Sequence, residues 1–254
     1  MLARATVLTA LVLGLMASGC GSSHRLFRQS GLDVHTFTND SVDTHLLVAG
    51  TGAVMVDPGY ERNAGALDGE LRAAGIDPAG VKVIVLTHGH ADHAGAAGYF
   101  QKRYGARIVV GAADEGMLES GSNEPLCPTG LLGKLRYSTD QTATHTPFRA
   151  DVQVTEPMDL GALSGVPGRI VPLASHTDGS LVVLSGDAAF VGDLFRGALV
   201  GSGAATHLYM CDVPGNRRSI HHLLQDLAPS AARFFVGHFG PVERADVVSA
   251  FDGD

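Results

Sequence analysis

The sequence predicts an α/β fold in which helices cover a β-sheet. Short apolar runs alternate with stretches of helical spacing, and no repeat or low-complexity segment interrupts them. The run at residues 81–86 is continuous and β-branched, as in a strand that is buried on both faces. With 254 residues, of which 45% are hydrophobic, the chain can form a sizeable core. These observations exclude a disordered or fibrous chain.

The first half of the chain predicts strands that are followed by helices. Strands at residues 42–49 and 53–57 surround a glycine-containing turn, and a Pro-Gly pair ends the second strand. Leucines at helical spacing predict a helix at residues 64–74. The buried run at residues 81–86 leads into another helix at residues 94–104. This order is typical of a sheet with helices packed on its face.

The second half predicts shorter strands around two loops. Residues 121–149 are rich in Pro, Thr, Gly and Ser, which predicts an irregular loop of the kind that borders active sites. A second loop at residues 196–212 is also expected to wall a cleft, since loops at such sites set specificity. The other predicted elements are strands at residues 152–155, 169–173, 180–184, 188–192 and 233–236, and a helix at residues 217–227.

The N-terminal residues are predicted to be an export signal. Arg4 supplies a positive charge, residues 5–16 are almost wholly apolar, and small residues precede Cys20. The segment resembles a bacterial lipoprotein signal, in which cleavage leaves Cys20 as the lipid-carrying first residue. Plain secretion, with Cys20 as a spare thiol, is the alternative. The predicted organisation is a signal peptide at residues 1–19, a lipid-anchored tether at residues 20–31 and one domain at residues 32–254.

This organisation predicts an exported protein that faces the periplasm or the cell exterior. A lipid on Cys20 would hold the domain at a membrane. In that oxidising compartment, Cys127 and Cys211 form either a disulfide or two separate buried thiols. The sequence leaves both alternatives open, because it does not give the distance between their Cα atoms.

The charge of the chain narrows the class of partner. Its 18 Lys and Arg residues stand against 26 Asp and Glu residues, which gives a net charge of -8. Without a basic run, the chain is not expected to bind nucleic acid. A small-molecule substrate is therefore the expected ligand, and the oligomeric state stays open.

The strongest functional signal follows the buried strand, at residues 87–95. Three histidines and one aspartate lie there within six positions: His88, His90, Asp92 and His93. A structural histidine is usually single, and the glycines and alanines between these residues leave room for an ion. Imidazole and carboxylate are ligands that zinc prefers, and they also suit iron or manganese. The segment therefore predicts a metal site.

The chain resembles the metallo-β-lactamase fold superfamily. Residues 88–93 match the family pattern His-x-His-x-Asp-His in full, and the Asp57-Pro58-Gly59 turn matches upstream. Later segments follow in the family order and carry His176, Asp193 and His238. The resemblance covers about residues 33–242. It implies a four-layer αβ/βα sandwich with the ions at the shared edge of its two sheets.

The resemblance also implies the ligands of two divalent ions, with zinc expected and iron or manganese as alternatives. The residues expected on one ion are His88, His90 and His176, those on the other are Asp92, His93 and His238, and Asp193 bridges them. Asp187 is a competing bridge, but it reads as part of a turn between two strands. Asp57 is expected to hold a ligand histidine.

Two adjacent ions imply a hydrolase. They make a bridging hydroxide available near neutral pH and polarise the substrate oxygen. Asp92 is expected to orient that hydroxide and to pass its proton to the leaving group. The bridging Asp193 favours the thioesterase-like and lactonase-like branches, so an ester, lactone or thioester is the expected substrate. The alternatives are a β-lactamase and a non-hydrolytic metal-binding or redox module.

Apolar side chains in the two predicted loops favour an acyl group on the substrate. They are Leu131, Leu132, Leu135, Phe148 and Leu208.

Overall fold

Two β-sheets pack face to face, with helices on their outer sides. The structure is a computed structural model that describes residues 22–29 and 31–252. The helix–sheet–sheet–helix order confirms the predicted α/β class and the four-layer sandwich. The predicted signal peptide at residues 1–19 and the predicted lipidation site, Cys20, lie outside the described residues.

The first sheet contains seven strands within the described residues. In sheet order they are β1 (Ser23–Gln29), β2 (Leu32–Asn39), β3 (Val42–Ala49), β4 (Gly52–Val56), β5 (Val83–Val85), β6 (Arg107–Gly111) and β7 (Val152–Val154). The first four strands pair antiparallel, and β4 to β7 pair parallel. Parallel pairing places the carboxyl ends of β4, β5 and β6 at one edge, where the segments that follow them meet.

The second sheet, in the same described part of the chain, contains six strands. They are β8 (Met158–Asp159), β9 (Arg169–Pro172), β10 (Leu181–Ser185), β11 (Ala188–Gly192), β14 (Arg233–Val236) and β15 (Val242–Glu243). A separate ribbon joins β12 (Arg196–Gly197) and β13 (Ala204–Ala205). Because β11 and β14 are parallel, the residues that follow them emerge at the same edge.

The helices cover both outer faces. In chain order they are α1 (Ala64–Ala73), α2 (Ala91–Ala94), α3 (Ala97–Tyr104), α4 (Glu115–Ser120), α5 (Leu131–Gln141), α6 (Leu160–Ser164), α7 (Val213–His222) and α8 (Arg244–Phe251). Short helical turns lie at Glu61–Asn63, Pro78–Gly80, Ala112–Asp114 and Leu223–Leu227. Leu67 and Phe100 pack on the first sheet, whereas Ile220 and Val247 pack on the second. None of the described helices has the length and apolar character that a bilayer crossing requires.

A third apolar layer joins the two sheets from the inside. Val34 and Val54 of the first sheet belong to the same buried cluster as Phe190 and Phe235 of the second. The rings of Phe190 and Phe235 stack with centroids 4.7 Å apart. Phe190 lies three residues before Asp193, and Phe235 lies three residues before His238, so packing between the sheets helps to position the edge at which these two residues lie.

Two sequence predictions are wrong in this structure. Residues 23–29 of the predicted tether form β1, which pairs with β2 along its whole length. Its side chains are exposed or half-buried, so no apolar run marked it as a strand. Residues 131–141 of the predicted loop form helix α5. Gly133 is its one buried residue, and its exposed residues hide the apolar periodicity on which the prediction relied.

Replacing Phe190 by alanine is expected to lower the free energy of unfolding by about 3–5 kcal/mol, because the change leaves a cavity between the sheets. Urea denaturation followed by circular dichroism measures this loss. Val200, which is 77% exposed, provides the control: its alanine variant should stay within about 0.5 kcal/mol of the wild type. Equal stability of the two variants would contradict the packing described here.

Candidate metal centre

The segment after β5 brings four candidate ligands to the edge of the first sheet. His88 and His90 lie in the loop, and Asp92 and His93 lie on the short helix α2. The backbone passes close to its neighbours between the first two histidines, since a Cβ on Gly89 would lie 2.9 Å from the terminal methyl group of Met117 and 3.1 Å from the carbonyl oxygen of Asp114. The small residues of the motif therefore let the loop pass close to helix α4.

Three buried histidines form the first ligand group. The ligand nitrogens of His88, His90 and His176 lie within 4.8 Å of one another. The rings of His88 and His90 are nearly perpendicular, with centroids 4.7 Å apart. His88 and His90 follow a strand of the first sheet, whereas His176 lies between β9 and β10 of the second. The group therefore spans both sheets.

Asp92, His93 and His238 form the second ligand group. Nε2 of His93 lies 3.3 Å from Nε2 of His238, and the latter atom lies 3.4 Å from Oδ2 of Asp92. His238 follows β14, and its Nδ1 lies 2.8 Å from the carbonyl oxygen of Ser41. Because a carbonyl only accepts hydrogen bonds, Nδ1 donates to it and Nε2 faces the group.

Asp193 lies between the two groups, at the end of β11. Its Oδ2 lies 3.1 Å from Nε2 of His207, 3.3 Å from that of His93, 3.4 Å from that of His238, 3.7 Å from that of His176 and 3.9 Å from that of His88. Gly192 directs the carboxylate inward with a φ of 52°. A Cβ at Gly192 would overlap the side chain of Thr87. The structure thus brings all seven predicted ligands together.

Buried polar atoms in these groups lack hydrogen-bond partners within the described part of the chain. They are Nε2 of His88, Nε2 of His90, Nδ1 of His176 and Oδ1 of Asp193. A buried polar group without a partner costs about 1–3 kcal/mol. Imidazole nitrogens and carboxylate oxygens are donors that divalent ions accept. The cluster is therefore suited to divalent metal ions.

The electrostatics of the cluster also suit metal binding. Burial lowers the pKa of His90 to about 4 and, together with the His90 ring, lowers the pKa of His176 to about 3. Burial opposes protonation of His238 as well, but Asp193 and Asp92 outweigh it and raise the pKa of His238 to about 10. Although burial acts to raise the pKa of Asp193, the facing histidines hold that pKa well below its usual range. The first group is thus neutral and the carboxylate is ionised, as metal ligands must be. In the second group burial is likewise outweighed by the two aspartates and the pKa of His93 is also raised, so His93 and His238 carry protons that a metal ion would displace.

Asp57 contacts His93 from the side opposite the cluster. Its Oδ2 lies 3.0 Å from Nδ1 of His93. It also accepts hydrogen bonds from the backbone N–H of Thr87 at 2.7 Å and from the Thr87 hydroxyl at 2.6 Å. Because the carboxylate accepts the Nδ1 proton, Nε2 of His93 is left to face the cluster. Asp57 was expected to hold a ligand histidine, and the structure places it in contact with His93.

Asp187, the competing bridge, lies away from the cluster. It occupies the turn between β10 and β11, and its carbonyl accepts a hydrogen bond from the N–H of Ala232 at 2.9 Å. Its side chain lines a separate small pocket beside Arg233. Asp193 stands at the other end of the same strand, so the geometry favours Asp193 as the bridge.

Asp114, which was not among the residues predicted from the sequence, joins the two histidine loops from beneath. Its carboxylate accepts hydrogen bonds from the N–H of Gly89 at 2.9 Å, the N–H of Gly179 at 2.9 Å and the hydroxyl of Thr177 at 2.7 Å. Burial raises the pKa of Asp114, against these three donors. Asp114 has no ligand motif around it; its place just after β6, the parallel neighbour of β5, is the signal that identifies it.

His207 lies in a predicted cleft loop, but no motif around it predicts a role. The structure places it against Asp193, and ligand atoms of His176, Asp193 and His207 lie within 4.8 Å of one another. His145, the other unassigned loop histidine, instead contacts the carbonyl of Thr146 and lies outside the described cluster. No sequence signal separates these two histidines, because only the fold brings residue 207 to the edge.

Cys127 and Cys211 are joined by a disulfide, with their Cα atoms 4.9 Å apart. Of the two alternatives that the sequence left open, the structure therefore has the bonded pair. The bond connects the predicted loops at residues 121–149 and 196–212.

A cavity of about 930 Å³ opens over the cluster. Side chains of both ligand groups form its floor, and both predicted loops contribute to its walls. Among the apolar side chains expected to contact an acyl group, Leu132 and Leu208 line the cavity. Leu131 and Leu135 are exposed instead, and Phe148 packs against the core behind the first sheet.

A family comparison agrees with this geometry. The family described as the metallo-beta-lactamase superfamily matches residues 37–238. A beta-lactamase hydrolase-like protein of Agrobacterium fabrum is 27% identical over 204 residues, which cover 74% of this chain and 41% of that protein. A hydroxyacylglutathione hydrolase of Anaeromyxobacter dehalogenans is 30% identical over 153 residues, which cover 58% of this chain and 46% of that protein. The aligned region is thus less than half the length of each of these two relatives.

Solved structures show the same fold. A mutant of the Cronobacter sakazakii metallo-β-lactamase of the HARLDQ motif has a TM-score of 0.63 and 18% identity, and the match covers 87% of this chain and 81% of that one. The BJP-1 metallo-β-lactamase of Bradyrhizobium japonicum has a TM-score of 0.55 and 19% identity, with coverage of 81% and 74%. At these identities the similarity concerns the fold alone.

The two aspartates at the ends of β11 provide a matched test of the ligand assignment. Asp193→Ala is expected to weaken zinc binding by at least about tenfold, because the carboxylate faces both ligand groups. Asp187→Ala should bind zinc as the wild type does. Competition with a chromophoric chelator measures both affinities. Equal affinities for the two variants would refute the assignment of Asp193.

Proposed function

The chain belongs to the metallo-β-lactamase superfamily, a family of metal-dependent hydrolases, and on that premise we propose that it cleaves an ester, lactone or thioester. The observation that supports this function best is a buried carboxylate between two ligand groups on the floor of a substrate-sized cavity. The proposed ligands are His88, His90 and His176 for one ion, Asp92, His93 and His238 for the other, and Asp193 for both.

The charged residues in the cavity wall favour an uncharged substrate. Arg25 and Arg136 are the cationic residues among those that line it. Arg136 donates two hydrogen bonds of 3.0 Å to Asp140, and Arg25 lies 3.4 Å from Asp43. Both guanidinium groups are thus paired within the wall. Among the lining residues, no unpaired cationic side chain would meet a phosphodiester, so only the ions could offset its charge, whereas a neutral carbonyl compound needs no counter-charge.

Apolar side chains line part of the cavity and are available to contact the acyl part of the proposed substrate. Leu126, Leu132, Leu199 and Leu208 line the cavity together with Phe239. The Anaeromyxobacter relative is named a hydroxyacylglutathione hydrolase, which supports an acyl compound as the substrate class. The solved structures are β-lactamases, so a β-lactam is the second candidate, supported by the shared fold.

The proposed chemistry relies on two divalent ions, with zinc as the first candidate because imidazole and carboxylate supply the whole ligand set. When bound, such ions lower the pKa of a shared water and polarise the substrate carbonyl. The protein orients His93 through Asp57, and Asp114 joins the loops that carry His88, His90 and His176.

Asp92 is the residue proposed to handle the proton. It lines the cavity with 22% of its side chain exposed, whereas Asp193 is 2% exposed. Burial acts to raise the pKa of Asp92, but His93 and His238 outweigh it and hold that pKa below its usual value. Asp92 is thus an ionised acceptor within reach of substrate, able to orient water and to pass a proton to the leaving group.

A substrate panel tests this function. The purified chain, loaded with zinc, should hydrolyse members of a panel of esters, lactones and thioesters and leave phosphodiesters intact. Removing the metal with a chelator should abolish the hydrolysis, and zinc should restore it; His88→Ala should lack it in both states. Hydrolysis confined to β-lactams would replace the proposed substrate class with the second candidate. Oxygen consumption by an iron-loaded protein without hydrolysis would favour a redox module.

We further propose that Cys20 carries a lipid that holds the protein at a membrane outside the cytoplasm. The apolar segment at residues 5–16 and the small residues before Cys20 support this localisation. Two peptide units separate Cys20 from Ser22, which with Ser23 borders the cavity. An anchor at this position would keep the cavity within about 8 Å of the lipidated residue, since consecutive Cα atoms lie about 3.8 Å apart.

Cell fractionation tests the anchor. Expressed in a bacterial host that processes lipoproteins, the wild type should sediment with membranes, and Cys20→Ala should move to the soluble fraction. Cys127→Ala is the control, since it removes a cysteine elsewhere and should leave the membrane association unchanged. Retention of the Cys20→Ala variant in the membrane fraction would refute the lipid anchor.

A further inference from the structure

His207 occupies a buried position within the cluster that the family ligand set does not use. Its side chain is 5% exposed, and its Nε2 lies 3.1 Å from Oδ2 of Asp193. Its ring lies perpendicular to that of His176, with centroids 4.9 Å apart, and stacks on that of His238, with centroids 5.3 Å apart. His207 therefore touches both ligand groups as well as the carboxylate between them.

Hydrogen bonds between residues 127–129 and residues 207–210, called the ladder below, hold the backbone of His207 in this place. The N–H of Met210 donates to the carbonyl of Cys127 at 2.8 Å, and the N–H of Thr129 donates to the carbonyl of Leu208 at 2.9 Å. The hydroxyl of Thr129 donates to the carbonyl of His207 itself at 2.6 Å. The disulfide to Cys211 closes the end of this ladder.

Helix α5 packs against the same ladder. A Cβ on Gly133 would lie 2.5 Å from the carbonyl oxygen of Leu208. The hydroxyl of Tyr209 donates at 2.7 Å to Asp140 and also lies 3.2 Å from the carbonyl oxygen of Gly133. The position of His207 is thus fixed by backbone hydrogen bonds, one covalent bond and close packing.

Hydrogen bonds to Asp193 cannot satisfy all the imidazoles that face it. One carboxylate oxygen has about two lone-pair sites. Five imidazole nitrogens lie within 4 Å of the same oxygen of Asp193, and four of them belong to the proposed ligands. His207 approaches closest of the five, at 3.1 Å. Cations placed between these atoms would bind more of the nitrogens than one oxygen can accept hydrogen bonds from. Nε2 of His207 would then be a metal-binding nitrogen like the other four.

We propose that His207 is a ligand of the metal centre, binding through Nε2 beside His176 and Asp193. The proposal rests on the proposed function, because both require bound metal. It adds a residue to the seven ligands and gives the disulfide-linked ladder a role, which is to carry that ligand. Nδ1 of His207 lies 3.3 Å from both the carbonyl oxygen and the N–H of Tyr209. In the tautomer that donates to the carbonyl, Nε2 is left for the ion.

Zinc affinity and cobalt spectra test the proposal on the purified full chain. His207→Ala should bind Zn²⁺ at least about tenfold more weakly than the wild type, since even an outer partner of a ligand contributes about 10–100-fold. When the protein is loaded with Co²⁺, the visible absorption bands should change in position and intensity, because a nitrogen donor has left the ion. His145→Ala is the matched control: it removes another buried loop histidine, and it should keep wild-type affinity and spectra.

A second measurement does not depend on a variant folding. Nitrogen-15 histidine spectra of the wild type, recorded with and without Zn²⁺, count the imidazoles that bind the ions. Six imidazoles with the shift of metal-bound nitrogen support the proposal, and five contradict it. His207→Gln, which keeps a side chain of similar length, identifies the sixth signal by its loss.

The outcomes separate this proposal from the proposed function. Wild-type affinity and cobalt bands in His207→Ala, or five shifted imidazoles, would overturn the role of His207 while leaving the hydrolase in place. A wild type that binds zinc through six histidines but hydrolyses nothing in the panel would support His207 and count against the substrate class. A wild type that binds neither Zn²⁺ nor Co²⁺ would overturn both.

Discussion

The buried carboxylate of Asp193 is the constraint on which the site depends. It sits among imidazole nitrogens that outnumber the hydrogen bonds it can accept. Burial of an ionised group is costly unless opposite charge or hydrogen bonds compensate. The loops at this edge are therefore built to supply cation ligands on every side of one oxygen. Gly192 is placed where a Cβ would overlap the side chain of Thr87, and Gly89 where a Cβ would crowd Met117 and the carbonyl oxygen of Asp114.

Some residues of this site can be predicted from a local motif in the sequence. The others are brought to the site only by contacts between distant parts of the chain. His88, His90, Asp92 and His93 lie within one motif, so spacing alone identified them. His176, Asp193 and His238 are isolated in the sequence, and only resemblance to a family brought them in. Asp114 and His207 lie outside any motif, since their roles arise from the pairing of β5 with β6 and from a disulfide-linked ladder. Sequence periodicity cannot report such contacts.

The secondary-structure elements were likewise predicted only where the local sequence carries a clear pattern. The strands at residues 42–49, 188–192 and 233–236 carry apolar runs and have the predicted bounds. Strand β1 and helix α5 were missed because each exposes most of its side chains, so burial left little pattern in their sequences. Both elements border the cavity. The surface that lines the cavity is thus the part of the chain that hydrophobic patterning describes least.

Because the ligands are divided between the two sheets, metal binding would affect the stability of the folded protein. Each proposed ion takes donors from both halves of the sandwich, as His88 and His176 illustrate. An ion that binds the folded state and not the unfolded state raises the free energy of unfolding by mass action. Metal supply in the surrounding compartment would then set the lifetime of the native protein as well as its turnover. Scarcity of the ion would expose the chain to proteolysis.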